Sequence, residues 1–116
     1  MNIYDKAHEF AEELKNLKEV VDYRAATENI NNKEENKKIV EDFRKVQIEA
    51  YSEQMSKGVI SEETKQKMQN LGAVAMTNPD VANYLQSEAR FAVIWEDLLK
   101  ILNDAIGVNV IAPESK

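Results

Sequence analysis

Glu88 is the polar side chain whose position most strongly suggests a specific role. It interrupts an otherwise apolar or small series that recurs every three or four residues along the last predicted helix. A carboxylate buried without a partner is costly by several kcal/mol. We therefore expect Glu88 to pair with Arg44 or Arg24, or to lie where the helix contact opens to water. The favoured interpretation is an ion pair that fixes helix register; the alternative is a ligand-binding or acid–base group.

The other candidates for chemistry are three pairs of adjacent glutamates and one histidine: Glu12-Glu13, Glu34-Glu35, Glu62-Glu63 and His8. Neighbouring residues on a helix point about 100° apart, so no pair resembles a catalytic dyad, and acids at helix starts favour the helix dipole. His8 points away from the apolar face of its helix and is predicted to be solvated. With one histidine and no cysteine, the usual soft-metal sites lack ligands. We expect no catalytic residue, no metal and no cofactor.

Charge and cysteine content limit the partners and the compartment. The net charge of −6 is spread along the 116 residues without a basic patch, which disfavours direct binding to nucleic acid or to an anionic membrane surface. The longest apolar run, residues 91–95, is far shorter than the ~20 residues of a membrane span. The absence of cysteine fits a reducing compartment, and the N-terminus does not resemble a signal peptide. We predict a cytoplasmic, soluble protein with one domain over 1–107 and a tail over 108–116.

Five helices and no strand are predicted, so the expected fold class is all-α. The first two helices cover residues 3–16, after the cap Asn2, and 18–30. The third begins at Asn32, which has the capping-box spacing to Glu35, and ends before Gly58. The fourth starts at the cap Ser61, and the fifth runs over 79–106, from the Asn78-Pro79 pair to Gly107.

The spacing of apolar residues assigns a buried face to the first and fourth helices. In the first helix the predicted buried stripe consists of Ile3, Ala7, Phe10, Leu14 and Leu17. In the fourth, Met68, Leu71 and Ala75 are expected to face inward, while Gly72 permits close approach of another backbone.

The third and fifth helices have apolar faces that are wider than one partner helix covers. The third carries a main stripe, Ile39, Phe43, Val46 and Ala50, and a second set, Val40, Ile48, Tyr51 and Met55. The fifth carries the stripe Val81, Leu85, Glu88, Ala92, Trp95, Leu99, Leu102 and Ile106, with a second line of Phe91, Trp95, Leu98 and Leu102. We assign Tyr51, Met55, Phe91, Trp95, Leu98 and Leu102 to a homo-oligomer interface (a dimer or higher) or a partner groove. Extra core within one chain is the alternative.

The order of several short motifs resembles a known family. They are Tyr4-Asp5-Lys6-Ala7, Asp42-Phe43-Arg44-Lys45-Val46-Gln47, Gly58, Asn78-Pro79 and Leu85-Gln86-Ser87-Glu88-Ala89-Arg90-Phe91. In this order and at these separations, they are similar to the YlbF/YmcA/YheA family of small helical proteins from Gram-positive bacteria, over most of residues 2–106.

The resemblance implies a helical bundle built on a long antiparallel helical hairpin, commonly assembled into dimers or higher oligomers, and regulation through protein contacts. YlbF and YmcA act with a third protein, YaaT, in control of sporulation, competence and biofilm formation and in ribonuclease-dependent messenger maturation. Those two branches carry cysteines tied to an iron–sulfur cluster, and this chain has none. It is therefore placed nearer the YheA-like side, whose members have no established activity, or it is a member without the cluster.

Two functional hypotheses follow. The first is a non-enzymatic, oligomeric regulatory or adaptor protein that acts through contacts with itself and with other regulatory proteins. The second is a small-ligand-binding protein, or an enzyme, with a pocket near Glu88. An ion-paired Glu88 in a closed helix contact favours the first hypothesis, whereas a sizeable apolar cavity beside Glu88 favours the second.

Overall fold

The computed structural model describes residues 2–108, which form five α-helices joined by short turns. The helices are α1 (Ile3–Lys15), α2 (Lys18–Asn31), α3 (Glu34–Lys57), α4 (Glu62–Thr77) and α5 (Pro79–Ile106). None of residues 2–108 lies in a β-strand, and the predicted all-α fold class is confirmed. Within the same range, no helix has the length and apolar content that crossing a membrane requires. The predicted tail lies, except for Val108, outside the described residues.

Most helix ends lie where the sequence predicts them, because side chains satisfy the first free backbone N–H groups. The side chain of Asn2 accepts a hydrogen bond from the backbone N–H of Asp5 at 2.9 Å. Ser61 and Asn78 cap α4 and α5 in the same way, at 3.2 and 3.1 Å. Gly58 and Gly107 end α3 and α5 with φ of 78° and 80°, in the left-handed region that favours glycine.

The predicted capping box at the start of α3 is wrong. Asn32 has helical angles and its backbone N–H bonds to Glu28, so it ends α2 instead of starting α3. The N-terminal cap of α3 is Lys33, with extended angles and no side-chain hydrogen bond to the helix. A cap residue needs extended angles, and Asn32 cannot adopt them while it closes the preceding helix.

Two antiparallel pairs of helices meet at one end of the molecule. α2 runs antiparallel to the first half of α5, with Ile30 near Val81 and Tyr23 near Glu88. α3 and α4 form the second antiparallel pair, in which the Glu53 carboxylate accepts hydrogen bonds from the Thr64 hydroxyl and the Ser61 backbone N–H. The two pairs share a small core, consistent with the expected helical hairpin. It consists of Ile30, Ala75 and Val81, surrounded by Ile39, Val40, Tyr84 and Leu85.

The first helix departs from the sequence prediction, because its apolar stripe is not buried. α1 contacts α2 and no other described helix, and none of its residues is buried. Ile3 is 77% exposed and Phe10 is 48% exposed. Periodicity identified the apolar face of α1 correctly, but no other part of the described chain covers that face.

Two predictions for α4 are also wrong, while a third is confirmed. Ala75 is buried in the core, as expected, but Met68 is exposed and lines a cavity of about 310 Å³ between α3 and α4. A Cβ atom added at Gly72 would meet nothing within 4 Å, so this glycine does not permit a close helix approach.

Candidate functional site

Glu88 belongs to a polar cluster of four side chains from α2, α3 and α5. The guanidinium of Arg44 donates hydrogen bonds to the Glu88 carboxylate and, at 3.1 Å, to the Tyr84 hydroxyl. The Tyr23 hydroxyl donates to the same Glu88 oxygen at 3.2 Å. Arg44 also lies 5.8 Å from the centre of the Tyr84 ring, within reach of a cation–π contact. The cluster therefore joins three helices that are distant in sequence.

The cluster is partly open to water. The side chains of Arg44 and Glu88 are 35% and 30% exposed, so Glu88 lies at an open edge of the helix contact instead of in a sealed seam. Of the two candidate partners, Arg44 makes the ion pair, while Arg24 is exposed. The sequence identified Glu88 and Arg44, but it gave Tyr23 and Tyr84 no role in this contact.

The electrostatics of the cluster favour a structural role over catalysis. Burial, with smaller contributions from Tyr84 and the Glu88 carboxylate, raises the pKa of Tyr23 to about 12. The phenol is therefore neutral at physiological pH and donates its proton to the carboxylate. Since the Glu88 charge is already balanced by Arg44, neither group resembles an activated acid or base.

Two cavities beside α3 do not open onto Glu88. An open groove of about 720 Å³ lies between α3 and α4, where Lys45, Glu49 and Lys67 contribute to a mixed charged lining. A smaller cavity of about 160 Å³ lies between α2, α3 and Tyr84. Glu88 lines neither of them.

An aromatic series leads from the cluster to the unpaired end of α5. The Tyr23 and Phe91 rings are 5.7 Å apart and stacked, and the Phe91 and Trp95 rings are 5.9 Å apart. Phe91 is half-buried, whereas Trp95 is exposed. The helix contact with α2 therefore fades at Trp95, and the remaining turns of α5 present apolar side chains to solvent.

We call Trp95, Leu99, Leu102 and Ile106 the α5 distal stripe, and Ile3, Ala7, Phe10, Leu14 and Leu17 the α1 stripe. All four residues of the α5 distal stripe are exposed, as are four of the five in the α1 stripe; Leu14 is half-buried. Of the other predicted interface residues, Leu98 is half-buried beside the α5 distal stripe, while Tyr51 and Met55 are exposed on the last turns of α3. Their assignment to an interface stays a prediction.

A second polar cluster, which the sequence did not reveal, holds the helix ends together. Asn36 is buried, and its side-chain amide donates to the backbone carbonyl of Asn29 at 3.3 Å and to the Asp80 carboxylate at 3.1 Å. Its carbonyl accepts from the amide of Asn78 at 2.9 Å. Asn78 therefore has two roles, because it caps α5 and also contacts α3. Of these two roles, only the capping of α5 can be predicted from the sequence.

One buried polar atom near Glu88 has no partner. The side chain of Ser87 is 2% exposed, and its hydroxyl oxygen makes no hydrogen bond with any described residue. A buried hydroxyl without a partner destabilises the fold. The small side chain of Ser87 therefore fits this buried position, but its hydroxyl does not stabilise it.

The chain matches the family described as control of competence regulator ComK, YlbF/YmcA, over residues 3–107. It is 52% identical to a UPF0342 protein of Clostridium novyi, covering 91% of this chain and 93% of the relative. A UPF0342 protein of Clostridium tetani is 51% identical, with 95% of both chains covered. A more distant UPF0342 protein, from Halothermothrix orenii, is 34% identical over 95% of this chain and 93% of its own length.

The UPF0342 designation is that of the YheA-like proteins, the side of the family on which the absence of cysteine places this chain. The matched residues take in all five helices, including both polar clusters and both exposed stripes. The chain belongs to the YlbF/YmcA family, as a UPF0342, or YheA-like, member.

Proposed function

We propose that this protein is an oligomeric regulatory protein of the cytoplasm that acts through protein contacts and catalyses no reaction of its own. Membership of a family named for control of a competence regulator supports the regulatory role. The occupied carboxylate of Glu88 supports the absence of catalysis, because Arg44 and Tyr23 already bind it. Its direct partners are a second copy of the chain and other regulatory proteins.

The single observation that carries this proposal is the amount of surface the chain exposes. Its accessible surface is 8865 Å², whereas a compact monomer of 13.2 kDa exposes roughly 6,400 Å². The excess is therefore roughly 2,400 Å², and a standard interface removes about 800 Å² from each partner. The exposed apolar faces of α1 and of the end of α5 contribute to this excess, and an interface of standard size would remove them from water.

The shape of the chain points the same way. The radius of gyration is 17.6 Å, compared with about 13 Å for a compact domain of this length. α1 and the end of α5 contribute to this difference, because α1 contacts only α2 and the α5 residues beyond Trp95 are mostly exposed. Both extensions carry large exposed apolar side chains, which soluble monomers rarely present in contiguous patches.

The proposal is tested by size-exclusion chromatography with light scattering at micromolar concentration. We expect the wild type to be at least a dimer and Trp95→Glu to shift it toward the monomer, because the new carboxylate would have to be desolvated in the interface. Met76→Glu is the matched control: Met76 is 85% exposed on α4, outside both stripes, and this change should leave the oligomer intact. A monodisperse wild-type monomer of 13.2 kDa would overturn the proposal.

A further inference from the structure

We infer that the oligomer is built by reciprocal exchange of the first helix: α1 of one copy packs on the α5 distal stripe of a second copy. This inference rests on the proposed oligomeric function and names the surfaces that perform it. Each stripe lacks a covering helix within the described chain.

The two stripes match in length and in spacing. α1 has 13 residues, which is about 20 Å of helix at 1.5 Å per residue. The part of α5 from Ile94 to Ile106 has the same number of residues. Both stripes repeat at alternating intervals of four and three residues, the pattern that lets two helices interlock side chains along a shared seam.

Within one chain, α1 does not reach the α5 distal stripe. α1 ends at Lys15, the backbone N–H of the cap residue Asn16 bonds to Glu13, and Leu17 then takes extended angles before α2 begins. This two-residue turn directs α1 away from α5, and the two helices make no contact. A helix on a short turn at the edge of the molecule is well placed to pack on a neighbouring copy.

Two-fold symmetry favours this pairing over the simpler ones. If α1 of the first copy covers α5 of the second, the same rotation places α1 of the second on α5 of the first. All four stripes of a dimer are then covered in one closed assembly. Pairing α5 with α5 leaves both α1 stripes in water, and pairing α1 with α1 leaves both α5 distal stripes exposed.

The residues beside the two stripes are compatible in charge. The α1 stripe is flanked on one side by Lys6 and Glu13 and on the other by Tyr4 and Ala11. The α5 distal stripe is flanked on one side by Leu98 and Ala105 and on the other by Glu96 and Asn103. In an antiparallel pairing the charged flank of α1 lies against Leu98 and Ala105, and Glu96 lies against Tyr4 or Ala11. No acid then faces another acid across the seam, so like-charge repulsion does not oppose the contact.

Cysteine crosslinking tests the exchange directly, since the chain has no native cysteine. Phe10→Cys places a single thiol near the middle of the α1 stripe, and Leu99→Cys places one near the middle of the α5 distal stripe. At these positions the distance between the two sulfur atoms is similar whether the two helices pair in antiparallel or in parallel. The two chains, one of them lengthened by a tag, are co-expressed, and the purified oligomer is treated with a bismaleimide that reaches about two helical turns, or 11 Å. We expect a covalent heterodimer of the two chains to exceed either homodimer.

Two controls define the outcome. Met76→Cys, on the exposed surface of α4, should give no heterodimer with Phe10→Cys. Ala7→Cys with Leu102→Cys repeats the experiment with a smaller change in α1, and light scattering before crosslinking verifies that the variants still associate.

The results that overturn the exchange differ from those that overturn oligomerisation. A wild-type monomer in light scattering removes the proposed function and the exchange together. A dimer in which Leu99→Cys crosslinks chiefly to itself, or in which no heterodimer forms, leaves the oligomer standing and rejects the exchange. A doubly substituted Phe10→Cys/Leu99→Cys chain that crosslinks only within a monomer rejects it as well.

Discussion

Arg44 on α3 donates a hydrogen bond to the carboxylate of Glu88 on α5, across 44 residues of sequence. The Tyr23 hydroxyl from α2 meets the same carboxylate oxygen. The Glu88 carboxylate therefore accepts hydrogen bonds from both neighbouring helices, α2 and α3.

The first prediction concerns substitutions of Glu88. Glu88→Ala should lower the free energy of unfolding by about 1–2 kcal/mol, because it leaves Arg44 and Tyr23 without their acceptor while both members of the ion pair stay partly hydrated. Glu88→Leu should lie within about 1 kcal/mol of the wild type or be more stable, because it fills the space and Arg44 can reach water. Denaturant melts of the two variants provide the comparison.

The order of the two effects is the decisive result. Glu88→Leu could instead lower the free energy of unfolding more than Glu88→Ala does, with an unchanged oligomer in light scattering. The carboxylate then has a role that apolar packing cannot replace, and this result favours the ligand-binding hypothesis. A double-mutant cycle with Arg44→Met isolates the energy of the ion pair from the effects of side-chain size.

The second prediction is that Ser87→Ala stabilises the protein. The buried hydroxyl has no partner among the described residues, so its removal should raise the free energy of unfolding by up to about 1 kcal/mol. Thermal and denaturant melts measure this change. Thr64→Ala is the matched contrast: the buried Thr64 hydroxyl donates to Glu53 at 2.7 Å, and its loss should destabilise. A destabilised Ser87→Ala variant would mean that the hydroxyl has an acceptor or a bound water.

The third prediction concerns alkaline pH. Burial, followed by Tyr84 and Glu88, raises the pKa of Tyr23 from 10.0 to about 12. The folded state holds the phenolic proton of Tyr23 more tightly than the unfolded chain does. The contribution of Tyr23 to the free energy of unfolding is therefore complete below pH 10 and is lost as the pH rises toward about 12. The free energy of unfolding should fall more steeply over this range in the wild type than in Tyr23→Phe.

Denaturant melts of both proteins across this pH window test the Tyr23 contribution, since the lysines titrate in each and cancel in the difference. Ultraviolet titration provides an independent readout, in which one of the four tyrosines should ionise late in the wild type only. Parallel pH profiles for the two proteins would show that Tyr23 is not the group responsible.

The fourth prediction separates the two roles of Asn78. Asn78→Ala removes both the cap of α5 and the hydrogen bond to buried Asn36, and should cost about 2–3 kcal/mol. Ser61→Ala removes the cap of α4, and should cost about 1 kcal/mol. Equal losses in the two variants would mean that the Asn36 contact contributes nothing beyond the cap.

The helices were predictable because local chemistry determines where they begin and end. Asn2, Ser61 and Asn78 cap helices through their own side chains, and Gly58 and Gly107 adopt positive φ. These interactions span three or four residues, so the sequence reveals them without knowledge of the fold. The capping box predicted at Asn32 is wrong because Asn32 already ends the previous helix.

Burial was less predictable, because apolar spacing shows which face of a helix avoids water and not what covers it. The α1 stripe and the α5 distal stripe have the same pattern as Val81 and Leu85, yet only the latter pack inside the chain. The prediction of a close helix approach at Gly72 is wrong for a similar reason, since the small size of glycine permits such an approach without causing it.

The candidate site was only partly predictable. An acid within an apolar stripe marks Glu88, and its need for a cation points to arginine. The Asn36 cluster had no such signal, because an asparagine in a polar helix start is ordinary until the fold buries it. Its partners Asn29, Asn78 and Asp80 lie 7, 42 and 44 residues away, which is beyond the reach of any local pattern.

The Asn36 cluster and the α5 distal stripe lie at opposite ends of α5 and share no residue. If the α5 distal stripe forms the interface that we propose, a substitution in it changes which surface the protein recognises and leaves the hydrogen bonds of the Asn36 cluster intact. Duplicated genes of this kind can diverge in partner choice while their chains keep one architecture. Selection on recognition and selection on foldability then act on separate residues of a single helix.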